Sequence, residues 1–317
     1  MNSLYLTKLN SVLSRHQKIK ISTTVGFAVA VLSAALSALP DVLTKPLVDP
    51  GTNGIAPTDP ILVVLIMYLI AGIFFTPLTK LQKSNVKIKK SSWLALIIYG
   101  IASAASTLAF SFGLQETSAT NAVVLANSEI VFTVLIGIIV CREYLAKREI
   151  LPFALITIGA IFLPIGSDIY EHKFEFSKFV FGDIMILISG CIYGLCPFIA
   201  KHASSVNIIK VVQVMSLSGA CTCIALMLVL QTPFTFDLSS FSLLSFVGIA
   251  GIGGSVLFFV LATRLIGAVR AILVFSSSTV FGIIYSGFYL LEPIGFFIIM
   301  SLITTMTGLY LLHRHRL

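Results

Sequence analysis

The chain has 317 residues, of which 57% are hydrophobic and only 11% are charged, and its mean hydropathy is +1.02. An ordinary soluble domain carries about 25% charged residues, so this composition excludes one and indicates a polytopic membrane protein. The formal net charge of +8 would favour nucleic-acid binding in a soluble protein, but in a membrane protein it bears on how the loops are oriented.

Residues 1–20 carry four basic residues and no acid, which predicts a basic cytoplasmic arm on the membrane surface. A cleaved presequence is disfavoured because the apolar stretch that follows, about 21–43, is longer than a signal-peptide core. Nine more apolar segments come near the ~20 residues that a spanning helix needs. They lie at about 61–79, 93–113, 118–140, 150–166, 181–200, 208–230, 241–262, 269–291 and 294–312. The sequence therefore predicts an all-α fold with ten transmembrane helices.

Basic residues divide unevenly between the two sides that ten spans would create. With a cytoplasmic N-terminus, three of the 21 Lys and Arg residues lie outside and the other eighteen lie inside. Those three are Lys45, Lys173 and Lys178. This distribution predicts a multi-pass protein of the cell membrane with cytoplasmic N- and C-termini and with external loops at 44–60 and 167–179.

An internal repeat appears when the chain is aligned with itself at an offset of 149 residues, which lays Ser118–Leu163 over Gly267–Leu312 without a gap. Each half has five predicted spans, an odd number, so the second half would be inserted upside down relative to the first. The predicted division is a basic arm (1–20), a first repeat with spans 1–5 (21–166), an external linker (167–179), a second repeat with spans 6–10 (180–312) and a basic tail (313–317).

Two stretches carry a family resemblance, TSATNAVVLANSEIVFTVLIGIIVCREYL and IGAVRAILVFSSSTVFGIIYSGFYLLEPI, with Gly159 and Gly308 in the helices that follow them. Both halves resemble the EamA-type repeat of the drug/metabolite transporter superfamily. The resemblance implies a transporter of amino acids, amines, drugs, nucleosides or other small metabolites. The family's usual Glu-Pro is here Glu129-Ile130 and Ser278-Thr279, so a proline break is absent from both halves.

Glu129 lies about midway along an otherwise apolar segment, where an ionisable residue is costly and commonly functional. Burial disfavours the charged form of a carboxyl group, so Glu129 is a candidate proton site or ligand of a substrate cation. Alternatively, a protonated Glu129 would join helices by hydrogen bonds. The candidate substrate or proton site contains Glu129, Asn127, Ser128, Ser276, Ser277, Ser278, Tyr193 and Tyr285.

Other polar residues have competing explanations. The run Ser276-Ser277-Ser278-Thr279 occupies the pseudo-symmetric position, with Ser278 opposite Glu129, and its hydroxyls either line a cavity or satisfy nearby backbone groups. Tyr193 and Tyr285 line the cavity or belong to an interfacial belt. Asp41 and Lys45 lie one helical turn apart near the outer end of the first span. They form either an external gate or, as we favour, an i,i+4 pair at headgroup depth.

An enzyme is disfavoured because the sequence contains no H-E-x-x-H, no G-x-S-x-G and no His/Cys metal constellation. A channel fits less well, because inverted five-span halves suit alternating access. We therefore expect a secondary active transporter of a small neutral, zwitterionic or cationic metabolite, open to proton coupling. We expect no cofactor, no metal and no nucleic-acid partner, contact with membrane lipid, and a homodimer as an open alternative. The alternative interpretation is a lipid-moving or structural membrane protein without small-solute flux.

Overall fold

A computed structural model describes residues 3–49, 58–81, 89–141, 147–162, 179–201, 206–234, 238–266 and 268–316. Residues 50–57 of the predicted external loop 44–60 and residues 167–178 of the loop 167–179 lie outside these ranges, as do residues 82–88 and 142–146 of the predicted cytoplasmic loops. Within the described ranges the chain forms helices joined by turns, and no strand.

The first half of the chain forms seven helices within the described residues: α1 (Ser3–Leu43), α2 (Lys45–Val48), α3 (Pro60–Leu81), α4 (Lys90–Glu116), α5 (Ala119–Ala126), α6 (Ser128–Cys141) and α7 (Ile150–Thr157). The described part of the second half forms α8 (Phe179–Lys201), α9 (Ile208–Leu230), α10 (Phe241–Phe246), α11 (Ser255–Ile266), α12 (Ala268–Phe275), α13 (Ser278–Tyr285) and α14 (Phe296–Arg316). Turns of π-helix follow α7, α10 and α13, at Ile158–Phe162, Val247–Gly254 and Ser286–Leu290.

Six helical stretches of the described residues are long and apolar enough to cross a membrane. They are Thr23–Val48, Pro60–Leu81, Lys90–Glu116, Ala119–Ile139, Ile208–Leu230 and Leu238–Ile266. The apolar helices at Ile150–Ile161, Phe181–Cys196, Ser278–Leu290 and Phe296–Leu311 are shorter. The all-helical prediction is confirmed, whereas the count of ten spans stays a prediction, as does the boundary of the basic arm within α1.

Two predicted spans are broken into two helices each. The first break separates α5 from α6 at Asn127, and the second separates α12 from α13 at Ser276-Ser277. At both breaks the backbone tightens to i→i−3 hydrogen bonds, with the Ile130 N–H donating to the Asn127 carbonyl and the Val280 N–H to the Ser277 carbonyl, each at 3.0 Å. The breaks form without proline, because short polar side chains and a tightened turn can interrupt a helix.

The breaks fall at positions that the 149-residue offset equates. α5 and α12 each contain eight residues, and the offset lays Ala119–Ala126 over Ala268–Phe275. The helix interruption therefore recurs at matching places in the two halves of the sequence.

Helices α7 and α14 pack together through a second matched pair, Gly159 and Gly308. Gly159 lies against the Ser301–Thr305 turn of α14, whose Ser301 hydroxyl donates to the Gly159 carbonyl. A Cβ atom at Gly308 would lie 2.8 Å from the Pro152 carbonyl oxygen and 2.9 Å from the Ile156 nitrogen. Small residues let helix backbones approach closely, which is how membrane helices gain packing energy in the absence of water.

The main core lies where α3, α4, α8 and α9 meet. Its largest fully buried side chains include Tyr68, Leu62, Met67, Leu96 and Met215. Large apolar side chains such as Ile73, Ile139 and Leu228 are exposed on the outside of the helices. This arrangement suits a protein whose outer surface faces lipid and whose interior holds the polar groups.

Candidate functional site

A cavity of about 120 Å³ lies inside the protein, beside both helix breaks. This volume accommodates several water molecules or one small solute, since a single water needs about 10–15 Å³ by the same measure. The polar residues that line it are Asp41, Glu129, Asn127, Ser37, Tyr68, Ser103, Ser106, Thr107, Ser189, Tyr193, Ser255, Ser276 and Ser278. No lysine, arginine or histidine is among the described residues that line it.

Glu129 reaches the cavity from the first turn of α6, directly after the break. Helix α8 packs against this turn through the Gly190-x-x-x-Gly194 motif. A Cβ atom at Gly190 would contact the Ser128 hydroxyl and lie 3.0 Å from the Glu129 nitrogen, and one at Gly194 would lie 3.3 Å from the Glu129 carbonyl oxygen. The two glycines thus place the backbone of α8 against the turn that carries Glu129.

Asp41 reaches the same cavity from the last turn of α1. A Cβ atom at Gly251, in the π-helical Val247–Gly254 segment, would lie 2.6 Å from Pro40 Cδ, so only a small residue admits α1 this closely. The Thr44 hydroxyl donates to the Pro40 carbonyl at 2.7 Å, and Thr44 forms the turn that ends α1. Asp41 is therefore fixed between a proline and a turn, facing inward.

Lys45 does not lie where the predicted i,i+4 pair with Asp41 would place it. Its Nζ is 3.0 Å from the Asp49 carboxylate, and it donates to the carbonyls of Leu114 and Thr117 at 2.7 and 2.9 Å. An i,i+4 pair needs one continuous helix, whereas the Thr44 turn puts Lys45 in α2, where its side chain contacts the end of α4. Asp41 and Lys45 therefore do not form the expected pair.

The acidic side of the cavity lacks protein partners among the residues that the structure describes. Within them, neither Asp41 nor Glu129 accepts a hydrogen bond or lies within 4.0 Å of a basic nitrogen. Asn127, which is 5% exposed, has no hydrogen-bond partner for its Nδ2 in the same part of the chain. Buried polar groups normally pair, so these atoms indicate a place where a ligand or water completes the bonding.

The cavity lining also contains a cluster of hydroxyls that are hydrogen-bonded to one another. The Tyr68 hydroxyl is 2.7 Å from Ser103 Oγ and 3.0 Å from Thr107 Oγ1. Ser106 Oγ lies 2.9 Å from the carbonyl and from the hydroxyl of Ser189, which ties α4 to α8. These hydroxyls are therefore satisfied by one another and by backbone carbonyls, unlike the two acids.

Five of the residues nominated from sequence line the cavity: Glu129, Asn127, Ser276, Ser278 and Tyr193. Three do not. Ser128 packs against Gly190, Ser277 forms part of the second break, and the Tyr285 ring lies 6.3 Å from that of Phe281. Lining a cavity does not by itself establish binding, so the site assignment stays a prediction.

Sequence reasoning did not nominate the hydroxyl cluster or place Asp41 in the site. A signal existed for the first, because Ser103, Ser106 and Thr107 recur at i, i+3 and i+4 and so share one face of α4. No comparable signal existed for Asp41, whose surroundings depend on the turn at Thr44.

Comparison with known proteins decides the family. The model of the EamA-like transporter family matches residues 51–164 and 180–314, which is most of the chain. The chain belongs to the EamA-like transporter family. It is a multi-pass membrane protein and a membrane transporter.

Two curated relatives of this EamA-like protein carry the name "Uncharacterized transporter". The protein from Methanothermobacter thermautotrophicus is 28% identical over 269 residues, which cover 80% of this chain and 78% of the relative. The protein from Archaeoglobus fulgidus is 26% identical over 145 residues, which cover 45% of this chain and 48% of the relative. A crystal structure that is 15% identical covers 92% of this chain and 96% of its own, with a TM-score of 0.63, so it supports the fold alone.

Proposed function

We propose that this protein is a secondary active transporter that moves a small polar metabolite by alternating access. The observation that carries the proposal is the cavity, where Asp41 and Glu129 face one small volume without a basic partner in the described lining. Transporters built from inverted repeats typically bind substrate at discontinuous helices near the membrane midplane.

The repeat supports this mechanism. Under the proposal the chain has ten spans in two inverted halves, which rock about the broken helices. The matching interruptions at Asn127 and Ser276-Ser277, and the matching glycines 159 and 308, are what two copies of one five-span unit would give. The positive-inside distribution orients both termini to the cytoplasmic side of the cell membrane.

The substrate is neutral, zwitterionic or cationic under this proposal. Recognition of a phosphate group normally uses Arg or Lys side chains, and none lines the described cavity. An acidic cavity instead attracts a positively charged group, or a proton when it is empty.

Under this proposal, Glu129 is the residue that couples transport to protons. Its carboxyl group lies at the start of a half-helix where the two halves meet, so movement of the halves would change its surroundings. A group whose charge state differs between inward-open and outward-open forms links substrate movement to a proton gradient.

Flux into proteoliposomes tests the proposal. The purified full-length chain is reconstituted and offered radiolabelled amino acids, amines, a nucleotide and a sugar phosphate, with and without a pH gradient. Saturable transport of an amino acid or amine is the expected result. Saturable transport of only the phosphate compounds would contradict the substrate class, and the absence of protein-dependent flux for every solute would contradict transport of small metabolites.

A further inference from the structure

The lining of the cavity is more acidic than the proposed function requires. A zwitterionic substrate such as an amino acid brings one positive and one negative group, and each needs a partner. The described lining offers two carboxyl groups and no Lys, Arg or His. A substrate carboxylate would therefore lie near two acids with only neutral donors to oppose them.

We infer that Asp41 and Glu129 together bind an organic cation that lacks a carboxylate, so that the transported class is amines rather than amino acids. This inference rests on the proposed function and narrows it. It assigns Asp41, which the sequence placed at headgroup depth, to the binding site beside Glu129.

Geometry supports a shared site. Asp41 comes from α1 and Glu129 from α6, and both line one cavity of about 120 Å³. A volume of this size holds a single small solute, so a cation that enters it is close to both acids. Neither acid has a competing partner among the described residues.

Asn127 provides an independent indication of a ligand. Asn127 is 5% exposed and is among the residues that line the cavity, and its Nδ2 has no partner in the described part of the chain. An unpartnered amide donor suits a neutral acceptor on the ligand, such as the hydroxyl of an amino alcohol. The two acids fit one or two protonated amino groups, and the amide donor fits a hydroxyl oxygen on the same small amine.

The apolar wall completes the fit. Phe110, Ile130 and Phe275 line the same cavity and would contact the carbon skeleton of the amine. Sites that bind small molecules combine such apolar surface with a few placed polar groups.

Binding to the purified full-length chain in detergent tests the inference without requiring transport. Matched pairs that differ by one carboxylate are the probes: ethanolamine with serine, and putrescine with ornithine. Calorimetric titration should show at least one amine binding about tenfold or more tightly than its amino-acid partner. Equal or tighter binding of both amino acids, or no binding of either amine at millimolar concentration, would overturn the inference.

Variants identify the residues involved. Asp41→Asn and Glu129→Gln should each weaken amine binding by about tenfold or more, because each removes one charge while keeping nearly the same shape. Asp41→Glu should bind more tightly than Asp41→Asn. The matched controls are Asp59→Asn and Glu116→Gln, which alter acids outside the described cavity lining and should bind as the wild type does. Unchanged amine binding by folded Asp41→Asn would remove Asp41 from the site.

Failure of the inference is distinguishable from failure of the proposed function. Saturable flux of an amino acid that is indifferent to Asp41→Asn would leave transport standing and overturn the inference. Amine binding that depends on both acids, in a protein that moves no solute in proteoliposomes, would leave the binding site standing and overturn transport. If Asp41→Asn does not fold, the comparison of amine binding with amino-acid binding by the wild-type protein still tests the inference.

Discussion

Asp41 at the end of α1 and Glu129 at the start of α6 line one cavity, and within the described residues neither is paired with a basic side chain. Charged side chains inside a membrane usually pair with a group of opposite charge. Two acids without such a partner therefore cost free energy to bury. Their cost is consistent with a site that a cation or proton occupies during function.

The crossing of α7 and α14 gives a stability prediction. Gly308→Ala should lower the free energy of unfolding by about 1–3 kcal/mol, because the added Cβ meets backbone atoms of α7 that cannot rotate away. Unfolding in mixed micelles measures this. Gly287→Ala is the control, since among the described residues its Cβ would meet only Ile294 Cδ1, at an ordinary contact distance of 3.7 Å. The packing account is wrong if the two substitutions cost the same.

Glu292 holds the beginning of α5. Its carboxylate accepts from the Ala119 and Thr120 nitrogens at 2.9 and 2.8 Å and from the Thr120 hydroxyl at 2.6 Å. A carboxylate at a helix N-terminus bonds exposed N–H groups and favours the helix dipole. Glu292→Ala should therefore lower the free energy of unfolding by about 1–3 kcal/mol.

A double-mutant cycle tests whether Glu292 acts through its contact with Thr120. Thr120→Val combined with Glu292→Ala should show a coupling energy of about 0.5–2 kcal/mol, because the two side chains bond directly. Additive effects would mean that Glu292 acts through other groups. The equivalent acid in the first half, Glu143, lies outside the described residues.

Lys45 is expected to be structural. Lys45→Gln should lower the free energy of unfolding by about 1–2 kcal/mol, because the ammonium group bonds two carbonyls at the end of α4 and pairs with Asp49. The ratio of amine flux to amino-acid flux should stay unchanged, since Lys45 does not line the described cavity. A changed ratio in a stable Lys45→Gln protein would restore its role as a gate.

Topology is testable by labelling single cysteines. Cysteines introduced at Asn53 and Asn85, both outside the described residues, should react with a membrane-impermeant reagent from opposite sides, Asn53 from outside and Asn85 from the cytoplasm. The physical reason is the distribution of Lys and Arg between the loops. Labelling of both from one side would refute the ten-span arrangement.

Long apolar runs predicted where the helices lie, because hydropathy sustained over a spanning length is a strong sequence signal. The segment predicted at about 208–230 coincides with α9, Ile208–Leu230. The breaks at Asn127 and Ser276-Ser277 were not predicted, since the sequence has no proline there and the backbone is interrupted without one. Short polar side chains that compete for backbone hydrogen bonds leave a weaker sequence signal than a long apolar run does.

The candidate site was predicted in part. Glu129 stands out because a single acid in a long apolar run is rare. Asp41 was interpreted from its spacing to Lys45, and that spacing has meaning only in an unbroken helix. The turn at Thr44 and the contact of Pro40 with Gly251 decide where Asp41 points, and both depend on tertiary packing.

Gradient-driven accumulation by the wild type and by Glu129→Gln, in proteoliposomes of matched protein content, tests the central claim most directly. Glu129→Gln keeps the shape and hydrogen-bonding capacity of the side chain but removes its charge and titration. We predict that the folded Glu129→Gln protein loses accumulation of the amine against its gradient, and that Glu116→Gln accumulates it as the wild type does. Accumulation by Glu129→Gln at the wild-type rate and with unchanged pH dependence would contradict the account.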